Sequence, residues 1–188
     1  MLLLMLLLTP LLGIFFITIS RYYALKLEKL IALITTIINS IFSLVIFILF
    51  DFSINEFLFV QEYHNLSSYD LYLGIDGISI YFVLLTTIIS PIALLSNWYS
   101  IDENVLSFVI IILILESLLL AVFLVLDFLM FYIFFESILP PLFILIGLYG
   151  SNNKVRASFY LFLYTLTKQC KITKHRENPK ALVTKVVI

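Results

Sequence analysis

The stretch "FYIFFESILPPLFILIGLYG", residues 131–150, contains the features that decide the fold class. Almost all of its side chains are apolar, yet it carries a glutamate, Glu136, followed one turn later by the proline pair Pro140 and Pro141. A charged side chain at the centre of a bilayer costs at least about 2.5–3.5 kcal/mol on insertion scales. The stretch therefore predicts a membrane-spanning helix whose acidic residue has a specific purpose.

The composition of the whole chain indicates an integral membrane protein. Of its 188 residues, 63% are hydrophobic and 12% are charged, which leaves too little polar surface to cover a water-soluble core of this size. The single cysteine, Cys170, excludes an internal disulfide and a cysteine-rich metal site. The sequence has no glycine-rich nucleotide motif either. We therefore expect no cofactor and no metal in this chain, and no nucleic-acid partner.

Five apolar stretches are long enough to cross a bilayer, which takes about 20 helical residues. They cover residues 2–19, 30–50, 78–95, 105–126 and 128–149. Strand-like alternation is absent, which argues against a β-barrel. A further apolar run at residues 158–166 has only nine residues and is too short to cross. The sequence thus predicts an all-α integral membrane protein with about five transmembrane helices and an aborted sixth.

The charges of the connecting loops predict an orientation. Residues 51–77 carry five acidic residues and no Lys or Arg. Basic residues follow the first and the fifth span, namely Arg21, Lys26, Lys29, Lys154 and Arg156. By the positive-inside rule, the N-terminus is expected outside and the C-terminus inside.

Two acidic residues lie within the predicted spans, Glu116 and Glu136. Counted from the turn near Asp127, Glu116 is eleven residues back and Glu136 is nine residues forward. At a rise of about 1.5 Å per residue these separations are ~16 Å and ~13 Å. Neighbouring antiparallel helices would hold the two carboxyl groups at nearly the same depth, which favours a shared role in proton relay. The alternative for either acid is a neutral hydrogen-bonding residue that holds helices together.

Prolines accompany these acids. Pro140 has no N–H, so the carbonyl of Glu136 loses its helical donor. Pro141 removes the helical donor of the Ser137 carbonyl in the same way, and Pro91 removes that of the Thr87 carbonyl. Thr87 lies close in sequence to two further hydroxyls, those of Thr86 and Ser90. A freed carbonyl at membrane depth is tolerated only where it faces protein or water. One interpretation of these prolines is that they break the helices beside a proton relay. The other is that they only kink the helices and aid packing. Asp76, just before the third span, is expected to cap that helix.

Two blocks of the sequence carry a resemblance to a known family. They are "GIDGISIYFVLLTTIISPIALLSNW" at residues 74–98 and "LDFLMFYIFFESILPPLFILIGLYG" at residues 126–150, the latter followed by "ASFYLFLYTL". Both closely resemble subunit 4 of mitochondrial NADH:ubiquinone oxidoreductase, respiratory complex I. The resemblance covers residues 1–166 and is strongest from Gly74 onward.

The resemblance implies an antiporter-like membrane-arm subunit built from inverted helix repeats with broken helices. Such a subunit couples electron transfer from NADH to ubiquinone to proton translocation across the inner mitochondrial membrane. Its implied partners are the other membrane-arm subunits and the lipid bilayer, with ubiquinone reached only through the whole complex. Enzymatic activity belongs to the complex, with no redox site in this chain. Glu136 matches the family's essential glutamate, which pairs with a lysine on a later helix, and Glu116 resembles a second acid of some members.

The chain departs from the family after Leu166. We therefore divide it into residues 1–166, the N-terminal helices of the proton-translocating subunit, and residues 167–188, a basic non-family tail. The tail is expected to arise from intron read-through or from truncation of a gene copy. Two alternative functions stay open: an inert membrane fragment, and a component of a related multisubunit cation/proton antiporter.

Overall fold

The computed structural model describes residues 2–20, 28–51, 57–63, 71–99, 101, 104–150 and 153–176. Apolar runs form helices here because a helix satisfies every interior backbone N–H and C=O within itself, which lipid cannot do. The elements are α1 (Leu2–Ser20), α2 (Glu28–Leu49), β1 (Leu58–Tyr63), β2 (Leu71–Ile75), α3 (Ser79–Ser96), α4 (Val105–Leu124), α5 (Phe128–Ser137), α6 (Leu139–Tyr149) and α7 (Lys154–Arg176).

Five helical segments of this described part are long and apolar enough to cross a membrane, as the sequence predicts. They are α1, α2, α3, α4 and the combined segment Phe128–Tyr149. The predicted bounds differ by at most two residues, at the start of α2, which begins at Glu28 rather than at residue 30, and at the end of α4, which stops at Leu124 rather than at residue 126. For α4 the cause is visible. The reason is that the following residues pair with a strand: the backbone N–H of Leu126 donates to the carbonyl oxygen of Tyr72 at 3.0 Å.

A small antiparallel hairpin, β1–β2, is an addition to the predicted all-α architecture. Gln61 pairs with Leu73, and the register is irregular between Leu58 and Gln61, where Phe59 has a φ of 57°. Leu73 also forms an isolated bridge with Val125, so the hairpin holds the connection from α4 to α5.

The chain forms two compact units, Met1–Pro141 and Leu142–Ile188. In the first unit α4 is the central helix, packed against α1, α2, α3, α5 and β2. Half of the residues in the most apolar stretch of α4 are buried, against 28% in each of α1, α2 and α3. Two polar side chains of α4, Glu116 and Ser117, are accordingly buried inside the helix bundle.

In the second unit, α7 packs on the last residues of α6. The ring of Phe143 lies 5.3 Å from that of Phe159 and 5.6 Å from that of Phe162, and Ser158 is buried. The α7 backbone stays helical to Arg176, ten residues beyond Leu166. The change of composition at residue 167 therefore marks the end of the apolar run and not the end of the helix.

Candidate functional site

Glu116 occupies the interior of the first unit. It lies on α4, the central helix, and only 3% of its surface is exposed. Its carboxyl oxygen Oε1 accepts a hydrogen bond from the side-chain amide of Asn39 on α2, with a distance of 2.6 Å between Nδ2 and Oε1. This acid is thus fixed by a polar partner on a neighbouring helix.

Asn39 in turn connects Glu116 to α1. It is completely buried, and its Oδ1 accepts a hydrogen bond from the hydroxyl of Thr9 at 2.7 Å. The same hydroxyl lies 3.1 Å from the carbonyl oxygen of Leu6. Pro10, which has no N–H, leaves the Leu6 carbonyl without its helical donor. The proline therefore creates an acceptor next to the network.

A second polar branch lies on α3. Ser90 is buried, and its hydroxyl donates to the carbonyl oxygen of Thr87 at 3.3 Å. That carbonyl is the one freed by Pro91. The hydroxyl of Thr87 forms a 2.6 Å hydrogen bond with the hydroxyl of Ser43 on α2. Among the described residues, Oε2 of Glu116 has no hydrogen-bond partner by distance and angle.

Two hydrogen-bonded sets, Thr9–Asn39–Glu116 and Ser43–Thr87–Ser90, meet on α2, where Asn39 and Ser43 are one turn apart. Together they are called the Glu116 network below, and they join four helices through polar groups. Hydrogen bonds between membrane helices contribute about 0.6 kcal/mol each on average, so the network adds modestly to stability. The network also has the groups needed for proton transfer. A carboxyl group flanked by hydroxyls and an amide can take up a proton and pass it along adjacent groups.

Glu136 lies on α5, one residue before the helix ends at Ser137, and is half-buried. The described hydrogen bonds of the Glu116 network do not include it. The structure places the helix interruption at Ile138, whose N–H donates to the Phe135 carbonyl at 3.4 Å. Pro140 and Pro141 occupy the first turn of α6. Glu136 is therefore next to the interruption, as its spacing from the prolines predicts.

The structure divides the hydroxyl residues that the sequence groups around Pro91. Thr87 and Ser90 are buried, whereas Thr86 is only partly buried and its hydroxyl donates to the Val83 carbonyl at 2.8 Å. The α3 helix continues through Pro91 without a break.

The expected cap of α3 by Asp76 is wrong. The cap residue is Ile78, with no side-chain cap bond. The Asp76 carboxylate instead accepts a hydrogen bond from the backbone N–H of Gly77 at 2.7 Å.

Sequence reasoning missed three members of the network, namely Thr9, Asn39 and Ser43. The signal for Asn39 was present, because it is the one side-chain amide in the apolar run at residues 30–50. A buried amide in lipid needs a partner just as an acid does. Within the described ranges, no group of three or more His, Cys, Asp or Glu residues could hold a metal ion.

Comparison with known proteins first defines the class. Residues 125–170 match the family described as NADH:quinone oxidoreductase/Mrp antiporter, transmembrane. The fold is similar to a chain of the membrane-bound sulfane sulfur reductase, an archaeal respiratory membrane complex. That similarity has a TM-score of 0.75 and 16% identity, and it covers 86% of this chain and 33% of the other. The chain is a multi-pass membrane protein with an antiporter-like fold.

The sequence relatives are more specific. NADH-ubiquinone oxidoreductase chain 4 of Mycosarcoma maydis is 52% identical over 139 residues, which are 73% of this chain and 29% of the relative. An "Uncharacterized 50.9 kDa protein in ND4 intron 1" of Podospora anserina is 70% identical over 162 residues, 86% of this chain and 36% of that protein. The chain belongs to the NADH-ubiquinone oxidoreductase chain 4 family. It spans about a third of the length of the curated relatives it matches.

Proposed function

We propose that this chain is part of a proton-translocating membrane-arm subunit of NADH:ubiquinone oxidoreductase in the inner mitochondrial membrane. The observation that carries the proposal is a buried acid, Glu116, that is hydrogen-bonded across helices inside a bundle of membrane-spanning length. A protein rarely keeps an ionisable group at such a position without a functional reason. The family relationship adds the electron-transfer complex in which the subunit works and the other membrane-arm subunits as partners.

In the proposed mechanism Glu116 and Glu136 take up and release protons. Glu136 stands beside a helix interruption at Ile138, where Pro140 withholds a donor from its carbonyl. Open carbonyls and hydroxyls stabilise water or a moving proton at a depth where a regular helix offers no polar group. Glu116 is the buried acid on the neighbouring helix, connected through Asn39 to a hydroxyl on α1. Electron transfer in other subunits supplies the driving force.

The test is Glu136→Gln in the complete subunit within the assembled complex. We expect most proton pumping to be lost while assembly is kept, because the amide preserves the shape and removes the exchangeable proton. The measurement is the number of protons moved per NADH oxidised in sealed inner-membrane vesicles. Asp76→Asn, which changes an exposed carboxylate outside the spans, is the matched control. A normal ratio in the Glu136 variant would exclude its relay role.

A related cation/proton antiporter component is the second candidate, because the matching family includes Mrp antiporters in its description. Sodium-dependent proton transport without quinone reduction would favour it. A native gel separates the two functions. Co-migration of the chain with complex I would support the role as a complex I subunit. Absence of both properties would indicate an inert membrane fragment.

We also propose that residues 167–188 are encoded by an intron that continues a first exon of the subunit gene. The basic composition of this tail and the relative in ND4 intron 1 of Podospora anserina support the proposal. Sequencing of the transcript tests it: a splice site near the Leu166 codon is expected, with a downstream exon that continues the family sequence. A continuous family reading frame without a splice site would contradict it.

A further inference from the structure

The two carboxyl oxygens of Glu116 have different surroundings. Oε1 accepts the 2.6 Å hydrogen bond from Asn39, whereas Oε2 is buried without a hydrogen-bond partner among the described residues. We propose that Asn39 is a positioning residue that keeps Oε1 as an acceptor and so assigns the exchangeable proton of Glu116 to Oε2. The inference rests on the proposed role of Glu116 in proton relay and specifies which of its two oxygens carries the proton.

The first step of the argument is the orientation of the Asn39 amide. An amide has two donor hydrogens on nitrogen and an acceptor oxygen. Thr9 donates to Oδ1, and this leaves Nδ2 to donate to Glu116. The reversed amide would set Oδ1 against Oε1, two acceptors that could approach so closely only with a proton between them. As long as Thr9 donates to Oδ1, a proton on Glu116 therefore belongs on Oε2.

The second step concerns which of two acceptors receives the hydrogen bond of the Thr9 hydroxyl. A hydroxyl carries a single donor hydrogen, and Thr9 has two acceptors in reach, Oδ1 of Asn39 at 2.7 Å and the Leu6 carbonyl oxygen at 3.1 Å. The Leu6 carbonyl is available because Pro10 gives it no helical hydrogen bond. The shorter distance favours Oδ1 of Asn39 as the acceptor, and this hydrogen bond fixes the orientation of the Asn39 amide. A shift of the hydroxyl to Leu6 would release the amide, which makes Thr9 the residue whose removal tests the assignment.

The third step concerns the hydroxyls of α3. Ser90 precedes Pro91 as Thr9 precedes Pro10, and its hydroxyl donates to the carbonyl that the proline frees, that of Thr87, at 3.3 Å. The hydroxyl of Thr87 is paired with that of Ser43 at 2.6 Å. Among the described hydrogen bonds, Asn39 is thus the donor to the Glu116 carboxyl group, and it donates to Oε1.

Other ionisable groups on the elements packed against α4 are distant along their helices. Glu28 and Lys29 on α2 are ten or more residues from Asn39, and Tyr81 on α3 is nine residues from Ser90. Nine residues of helix correspond to about 13 Å. α1 carries no ionisable side chain, and the remaining groups are Tyr132 and Glu136 on α5 and Tyr72 on β2. Glu136→Gln therefore serves as the background in which the Glu116 signal is isolated.

The experiment is infrared spectroscopy of the purified 188-residue chain in phosphatidylcholine nanodiscs as a function of pH. The difference between the chain and its Glu116→Gln variant assigns the carboxylic-acid carbonyl band of Glu116. We expect one band, because only Oε2 carries the proton. Asn39→Leu and Thr9→Val should each convert one band into two, since both oxygens then become available.

Controls separate this effect from a damaged fold. Thr18→Val removes a hydroxyl of α1 that bonds only locally, to the Phe15 carbonyl, and should leave one band. Thr9→Ser should restore one band, and circular dichroism checks helix content in every variant. The proposal is overturned by an unchanged single band in both Asn39→Leu and Thr9→Val, or by no acid band before helix content is lost. These bands belong to the chain itself, so they stand or fall independently of the pumping ratio measured for Glu136→Gln.

Discussion

Glu116 and Glu136 lie on adjacent helices, but their surroundings differ. Glu116 is enclosed and hydrogen-bonded to Asn39, whereas Glu136 is half-buried at the end of α5. The first arrangement suits an acid that stores a proton, and the second suits one that exchanges with a mobile partner or water. The two carboxyl groups are therefore not interchangeable.

At the residue scale this difference gives a prediction for Glu116→Gln in the complete subunit. The amide oxygen still accepts from Asn39, so assembly should be kept, and proton pumping should fall less than it does in Glu136→Gln. The measurement is the proton-to-NADH ratio of the two variants prepared in parallel. An equal or larger loss in Glu116→Gln would mean that Glu116 is the principal relay.

A second residue-scale prediction concerns the contact of α1 with α2. A Cβ atom at Gly13 would lie 2.9 Å from the Thr35 hydroxyl oxygen and 3.0 Å from its methyl carbon. Gly13→Ala should therefore destabilise the chain, by about 1–3 kcal/mol as overpacked cores do. Unfolding in detergent mixtures measures the loss. Gly77→Ala, where a Cβ would meet nothing within 4 Å, is the matched control, and recovery in Gly13→Ala with Thr35→Ala would locate the effect.

At the scale of elements, the interruption between α5 and α6 depends on two prolines. Replacing both Pro140 and Pro141 with alanine restores N–H donors for the carbonyls of Glu136 and Ser137. We expect one continuous helix over residues 128–149, with slower backbone hydrogen exchange at residues 136–141. Pumping in the complete subunit should fall because the open carbonyl beside Glu136 is closed.

Hydrogen exchange read by mass spectrometry measures the first effect, and vesicle assays measure the second. Pro91→Ala is the control for the exchange measurement, since α3 is already continuous through that residue. Unchanged exchange at residues 136–141 in the double variant would show that the interruption has a cause other than the prolines.

Several elements could be predicted from the sequence because their signals are local. Apolar runs of sufficient length gave the five spans, and the rarity of charge in lipid identified Glu116 and Glu136. The Glu116 network could not be predicted, because Thr9, Asn39 and Ser90 come together only through the packing of α1, α2 and α3 around α4. The hairpin was missed because its strands are short and are stabilised by pairing with each other and with Val125.

At the scale of the whole molecule, five spans place the two ends of the membrane domain on opposite sides. We expect the N-terminus outside and residues 154–188 on the basic side of the membrane, where loop charge directs them. The measurement is protease digestion of sealed vesicles with an epitope at the C-terminus. The tail should be cut only from the side that carries Lys154 and Arg156, and cleavage from the side of the β1–β2 hairpin would contradict the orientation.

The attachment of α4 to the hairpin has a consequence for bilayers of different thickness. Val125 bridges to Leu73 and Leu126 bonds to Tyr72, so the end of α4 is fixed to the β1–β2 hairpin. Glu116 lies nine residues before Val125, about 13 Å along the helix. A thicker or thinner membrane is accommodated by tilt, local lipid deformation and movement of flanking residues. The distance from the Glu116 carboxyl group to the hairpin is therefore set by the protein, whereas its distance to the opposite surface varies with the lipid.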